Sequence, residues 1–300
     1  MVFTKDFILD IFKLCFLCYE SSTTIKKKYL TMYKDLYKKN LVDPKTKYSN
    51  NNSSTSYYKS TTKNLINTST VLYKCANIPT IKSSPTDCQY FTTYYDDLLI
   101  VCFRGTESKK DILIDLTIDK AQLHIPNYNT KLYVHRGFLS QFNDIIDDLE
   151  HEIKIYNTRA DIKEKKIIFT GHSLGGALAT IGTCYFGVLY PNLSINCITL
   201  GSPKVGCNTF INVFNKGCTA SLRFINEDDP IPNLFSSWRK HVNGTLWISN
   251  NKLYNTNIRE KGQLTNFFKS FGNYLIKKQP TTYNDHKCIS YITNLNNIDF

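Results

Sequence analysis

Gly171-His172-Ser173-Leu174-Gly175 places a serine hydroxyl where it could act as a nucleophile. A hydroxyl attacks a carbonyl only when a base takes its proton, and the base needs an orienting acid. The five residues follow an apolar, β-branched run, Lys166-Ile167-Ile168-Phe169-Thr170. They open a run of small residues, Gly176-Ala177-Leu178-Ala179-Thr180. Strand, sharp turn and helix are the expected local structure. At such a junction G-x-S-x-G forces the serine into strained dihedrals, and small neighbours let strand and helix approach. The hydroxyl then stands at the C-terminal edge of a sheet with a helix N-terminus beneath it.

Of the six histidines, only His286, in Asn284-Asp285-His286-Lys287, lies far downstream, and it is the expected base. His241 lies nearer but opens a strand-like run. His172 sits on the turn, and its side chain should diverge from that of Ser173. His124, His135 and His151 precede the nucleophile. For the acid, Glu227, Asp228 and Asp229 follow the strand-like Phe224-Ile225-Asn226 and precede Pro230-Ile231-Pro232. Acids after a strand also serve as caps and turn formers, so position does not choose among them. Asp285 adjoins His286, which makes a good hydrogen bond to that ring awkward.

These groups need a scaffold. Residues 1–42 read as helical, with Ile8, Ile11, Phe12 and Cys15 at helical spacing and a second face at Tyr29, Met32, Tyr33, Leu36 and Tyr37. Residues 43–70 are rich in Asn, Ser, Thr and Lys and read as a long polar loop. The chain therefore divides into 1–70, N-terminal helices and loop, and a compact domain over 71–300. Within it, strands are expected at 88–95 and 98–103 with a hairpin at Asp96-Asp97, and further strands at 166–169, 195–200, 222–225 and 241–248. One helix is expected over 137–156, with Phe138, Phe142, Ile145, Ile146, Leu149 and Ile153 on its apolar face, and another over 263–276. Alternating strands and helices imply an α/β fold with a mainly parallel sheet and helices on both faces.

Several segments together resemble the class 3 lipase family, the fungal-type triacylglycerol lipases. They are Cys102-Phe103-Arg104-Gly105-Thr106, the segment 111–116, Val134-His135-Arg136-Gly137-Phe138, and residues 171–179. Gly201-Ser202-Pro203-Lys204-Val205-Gly206, Asp229-Pro230-Ile231-Pro232 and Asp285-His286 complete the set, in the family's order over roughly 88–292. The resemblance implies an α/β-hydrolase fold, with Ser173 as nucleophile, His286 as base and Asp229 as acid, Asp228 being the fallback. It implies oxyanion donors at the backbone N–H of Leu174 and the N–H, with the hydroxyl, of Thr106. It makes 107–118 a lid, with Ile112, Leu113 and Leu116 over the serine; an ordinary buried helix fits that segment equally. The segment lacks the family's tryptophan and carries Lys109-Lys110. His135 matches a structural position of the family pattern.

The implied activity is that of a serine carboxylester hydrolase cleaving lipid acyl esters through an acyl-enzyme, closest to a triacylglycerol lipase. A phospholipase or general esterase is the alternative, and a catalytically silent lipid-binding protein on the same scaffold is the rival of another class. The chemistry calls for no cofactor and no metal; of ten cysteines only Cys15 and Cys18 are closely spaced, too few for a zinc site. The net charge of +12 suits a membrane or lipid-droplet surface, each nearby lysine contributing about 1 kcal/mol. Joint enrichment in Lys, Asn, Ile and Tyr is explained as well by an AT-rich coding sequence, and no nucleic-acid-binding module accompanies the charge. The apolar stretch at 7–19 is broken by Asp10 and Lys13 and is no clean signal peptide. The uncharged stretch 171–203 holds too many glycines and a proline to read as a membrane span. A protein without a transmembrane helix, able to associate with lipid surfaces, is the expectation; oligomeric state is not written in the chain.

Overall fold

The computed structural model describes residues 3–21, 23–24, 80–83, 88–95, 97–106, 119–234, 237–255 and 281–298. The helix face at 29–37, the polar loop at 43–70, the lid segment at 107–118 and the helix at 263–276 lie outside the described residues.

Helix α1 (Lys5–Leu17) comes first, its N-terminus capped by Thr4. Strands β1 (Thr80–Ser83), β2 (Gln89–Tyr95) and β3 (Leu98–Phe103) pair antiparallel and start an eight-stranded sheet. Strands β4 (Lys120–Ile125) and β5 (Tyr128–His135) form a separate hairpin, turning at Asn127 with φ +59°. Helices α2 (Arg136–Asn143) and α3 (Ile146–Thr158) follow. The sheet then continues outward from β3 through β6 (Lys166–His172), β7 (Ser194–Leu200), β8 (Ala220–Asn226) and β9 (Thr245–Ser249), each parallel to its neighbour. Helix α4 (Leu174–Leu189) links β6 to β7, and α5 (Asn208–Gly217) links β7 to β8. Antiparallel β10 (Lys252–Asn255) closes the edge, and α6 (Thr281–His286) and α7 (Cys288–Asn296) end the described chain.

This order explains which helix covers which face. The parallel strands are laid down in one direction, so right-handed crossovers put their helices on one face. Strand β3 alternates accordingly. Leu99, Val101 and Phe103 join the core beneath α2–α5, while Leu98, Ile100 and Cys102 face the other way. That second face is covered by α1 and α7, which lie outside the parallel run: Ile8, Ile11, Phe12 and Cys15 share a core with Tyr291 and Leu295. The Phe12 ring meets Phe224 edge-on at 4.9 Å. The Lys5 ammonium donates to the carbonyls of Asn296 and Ile298, tying the two helices together. Cys102 and Cys197 are buried among apolar neighbours and pack as small hydrophobes.

Two expectations are corrected. The single helix over 137–156 is two, because Ile145 leaves helical geometry at φ −122°. The break redirects the chain: α2 packs on α4 and the hairpin, whereas α3 carries Tyr156 to the sheet, where its hydroxyl reaches the carbonyls of Asp97 and Lys166. The last parallel strand begins at Thr245 rather than His241. Gly244 explains the delay, with φ +85° and so close to β8 that a Cβ would lie 1.9 Å from the Ser221 carbonyl oxygen.

Candidate active site

Ser173 sits between β6 and α4 with φ 58° and ψ −124°, a conformation that side-chain-bearing residues rarely adopt. Its neighbours show why it persists. A Cβ on Gly171 would strike the Gly175 backbone at 2.3 Å, and one on Gly175 would strike the Phe103 carbonyl oxygen at 2.2 Å. Only glycine at both positions lets strand and helix meet this closely. The Ser173 N–H donates to the Leu200 carbonyl at 2.9 Å, anchoring the turn to β7.

His286, at the end of α6, presents Nε2 to Ser173 Oγ at 2.8 Å. Its Nδ1 lies 2.9 Å and 2.8 Å from the two carboxylate oxygens of Asp229, just beyond β8. Serine, histidine and aspartate are all buried. The three acids after β8 are thereby told apart. Glu227 is turned toward β9 and β10, accepting from the Ser249 hydroxyl at 3.0 Å and the Asn250 N–H at 2.9 Å. Asp228 is exposed, and Asp229 alone faces the imidazole. His241 donates Nε2–H to the Pro232 carbonyl at 2.6 Å, and His124 and His151 are exposed. His135 is buried, with its ring 4.3 Å from that of Phe138.

Leu174 is the first residue of α4, so its N–H has no carbonyl four residues back to bond. Gly105 packs on the serine, since a Cβ there would lie 3.3 Å from Ser173 Cβ. Thr106, the residue after it, is thus brought to the rim of the same site.

Supporting groups escaped the reading of the sequence. The Tyr291 hydroxyl donates to Asp229 Oδ2 at 2.5 Å, and the Ile231 N–H donates to Oδ1 at 2.9 Å. Asn226 donates to the Asp285 carbonyl at 2.9 Å and accepts from Asn294 at 2.8 Å. His172 diverges from Ser173, as expected, but runs beneath the site: its Nε2 lies 2.6 Å from the His286 carbonyl oxygen and its Nδ1 2.7 Å from the Tyr19 hydroxyl. A carbonyl oxygen only accepts, so Nε2 carries the hydrogen and Nδ1 accepts from Tyr19. Burial, and then the charge of nearby His286, push the His172 pKa well below its ordinary value. Burial, reinforced by Asp229, pushes the Tyr291 phenol well up, so it stays a donor. Gly201, at φ +59°, leaves room for the pair: a Cβ would lie 2.8 Å from Asp229 Oδ2 and 3.1 Å from both His286 Cε1 and Nδ1. Only Tyr291, five residues past His286, had a local clue; Tyr19 had none.

Among the described residues, no group of three or more His, Cys, Asp or Glu could hold a metal ion. Nor is any described helix long and apolar enough to cross a membrane.

Residues 100–238 match the family model described as Lipase (class 3). A secreted mono- and diacylglycerol lipase 1 of Fusarium solani is 30% identical over 122 residues, covering 40% of this chain and 35% of the relative. A chloroplastic phospholipase A(1), DAD1, of Arabidopsis thaliana is 29% identical over 149 residues, covering 44% and 32%. The chain thus spans about a third of the length of the first curated relatives it matches. The solved triacylglyceride lipase of Rhizomucor miehei superposes with a TM-score of 0.51 over 62% of this chain and 72% of that one, at 24% identity. That likeness carries the fold, which is the α/β-hydrolase architecture.

Proposed function

Starting from a chain whose residues 100–238 match the class 3 lipase family model, we propose that it is a serine carboxylester hydrolase of that family acting on acylglycerols. One observation carries the reading: Ser173 Oγ, His286 Nε2, His286 Nδ1 and Asp229 form an unbroken, buried hydrogen-bonded line.

Ser173 Oγ attacks the ester carbonyl carbon as its proton passes to His286 Nε2. The carbonyl π electrons move to oxygen, which backbone N–H groups of Leu174 and Thr106 stabilise. Collapse breaks the carbon–oxygen bond to the alcohol, and the leaving oxygen takes the proton from Nε2. Water then attacks the acyl-enzyme, giving one proton to His286; the carboxylic acid departs as Ser173 Oγ regains its hydrogen. Asp229 holds the ring with Nδ1–H toward itself and balances the imidazolium formed at each step. The catalytic unit is 71–300 with α1 seated on it. A lipid ester is the substrate, and a lipid surface is where the enzyme meets it.

A phospholipid substrate is the second reading, favoured by the likeness to the Arabidopsis phospholipase A(1). Hydrolysis of triacylglycerol, diacylglycerol, phosphatidylcholine and soluble short-chain esters by wild type and Ser173→Ala separates the possibilities. Acylglycerol cleavage should dominate and fall about a millionfold in Ser173→Ala. Cleavage of phosphatidylcholine alone transfers the proposal to phospholipases. Activity restricted to soluble esters makes the protein a general esterase, and equal rates for the two proteins make it a silent scaffold.

A further inference from the structure

We propose that Tyr19, beyond the end of α1, is a positioning residue for the base: its hydroxyl supports, as donor to Nδ1, the tautomer of His172 that holds the main chain of His286. The proposal rests on His286 being the base of Ser173.

Contact between the Nε2 of His172 and the His286 carbonyl is favourable in one ring state only. With hydrogen on Nε2 it is a hydrogen bond at 2.6 Å. With hydrogen on Nδ1 alone, two lone pairs face one another at that distance. The carbonyl, which only accepts, disfavours that state, and the Tyr19 hydroxyl, 2.7 Å from Nδ1, supplies the donor that the lone pair on Nδ1 then needs. In that arrangement both ring nitrogens of the neutral His172 are satisfied without a second proton. Neutrality matters here. The His172 and His286 ring centroids are 4.7 Å apart, so a cationic His172 would oppose the imidazolium that His286 becomes during reaction.

The surroundings are shaped to bring that hydroxyl in. A Cβ on Gly105 would lie 2.2 Å from the Tyr19 hydroxyl oxygen and 2.5 Å from the His172 carbonyl oxygen. Glycine at 105 therefore opens the passage through which Tyr19 reaches the ring. The Arg104 guanidinium sits 5.9 Å from the Tyr19 ring centroid, and the Tyr19 N–H bonds the Phe16 carbonyl at 3.2 Å. The chain from α1 is thus fixed beside the site, with the Tyr19 hydroxyl at the ring of His172. The Tyr19 hydroxyl bonds the ring of His172, and its effect on the base is read through that ring.

The test combines a spectroscopic and a kinetic readout. Nitrogen-15 NMR of histidine-labelled protein, without substrate, should show His172 in the neutral Nε2–H form from pH 5 to 8. In Tyr19→Phe the Nδ1 signal should shift as it loses its donor. With a short-chain ester, kcat should fall about tenfold to a hundredfold in Tyr19→Phe at nearly constant KM, the effect of a misplaced base rather than weakened binding. A wild-type His172 found as the Nδ1–H tautomer overturns the proposal, even if the variant fails to fold. So does a folded Tyr19→Phe with wild-type kcat. Loss of the hydrolase reading is seen separately, as equal rates for wild type and Ser173→Ala.

Discussion

Replacing Gly201 by alanine should damage catalysis while leaving the fold standing. The new methyl would lie 2.8 Å from Asp229 Oδ2 and 3.1 Å from two atoms of the His286 ring, whereas ordinary contact begins at 3.4 Å. The acid must therefore yield by 3.4 − 2.8 = 0.6 Å and the ring by 3.4 − 3.1 = 0.3 Å, or the backbone must move instead. Backbone relief is limited, because φ +59° already costs alanine about 1–2 kcal/mol and the Gly201 N–H is bonded to the Phe224 carbonyl at 3.0 Å. Both displaced groups belong to one hydrogen bond. A 1 Å misplacement costs about a hundredfold, and loss of the aspartate's orienting effect about ten-thousandfold. The expected fall in kcat lies between those bounds, with global stability lower by about 1–2 kcal/mol. Steady-state hydrolysis of a soluble p-nitrophenyl ester, the rate of fluorophosphonate labelling at Ser173 and urea unfolding measure the three quantities. A folded Gly201→Ala protein labelled and turning over within about threefold of wild type would refute the reasoning.

Tyr291→Phe removes a hydrogen bond to a charged acceptor, worth about 1.5–3 kcal/mol, so kcat should drop about tenfold to a hundredfold at unchanged KM; unaltered steady-state rates deny the hydroxyl a role. Asp285 has its pKa raised to about 6 by burial first and repulsion from Asp228 next. Folding therefore favours its protonated form, and the benefit vanishes as pH climbs through that value. Asp285→Asn should be more stable than wild type at pH 7.5 by about 1 kcal/mol, reduced from full linkage because the group is half-buried, and near-equal at pH 4.5; urea midpoints at both pH values decide. His172 and His241 are both pushed well below the ordinary histidine value, by burial above all. The unfolded chain then takes up two protons that the folded one refuses. Their share of stability is complete above about pH 6.5 and drains away below it, by up to about 2.7 kcal/mol per pH unit; His241→Gln should halve that slope in unfolding curves.

The convergence of Ser173, His286 and Asp229 was legible because each lies at a chain-order position and next to a local signal: small residues around Ser173, a strand end before Asp229, distance downstream for His286. Choosing Asp229 over Glu227 was not a matter of local pattern. The backbone of Glu227 takes φ 41° and swings its carboxylate toward Ser249 and Asn250, a consequence of β9 and β10 lying alongside. Apolar periodicity found the stripe of Phe138, Phe142, Ile145, Leu149 and Ile153, all buried, but cannot register a change of helix axis at Ile145. The β4–β5 hairpin was missed because its inward residues, Leu123 and Ile125, stand among half-exposed ones. Tyr19 and His172 are 153 positions apart, and no window on the chain joins them.

The base comes from a different part of the architecture than its partners. Ser173 and Asp229 follow two central parallel strands, β6 and β8, with β7 between them, but His286 hangs on two short helices laid over the back of the sheet. Those helices are held by α1 and a few side-chain bonds, so they belong to the weaker end of the molecule's range of local opening. Warming should abolish the proposed hydrolysis reversibly while the sheet remains intact, giving inactivation a lower midpoint than loss of secondary structure. A lipid surface or an acyl-enzyme that steadies α6 and α7 would raise the first midpoint toward the second, so working conditions would themselves lend the catalyst its endurance.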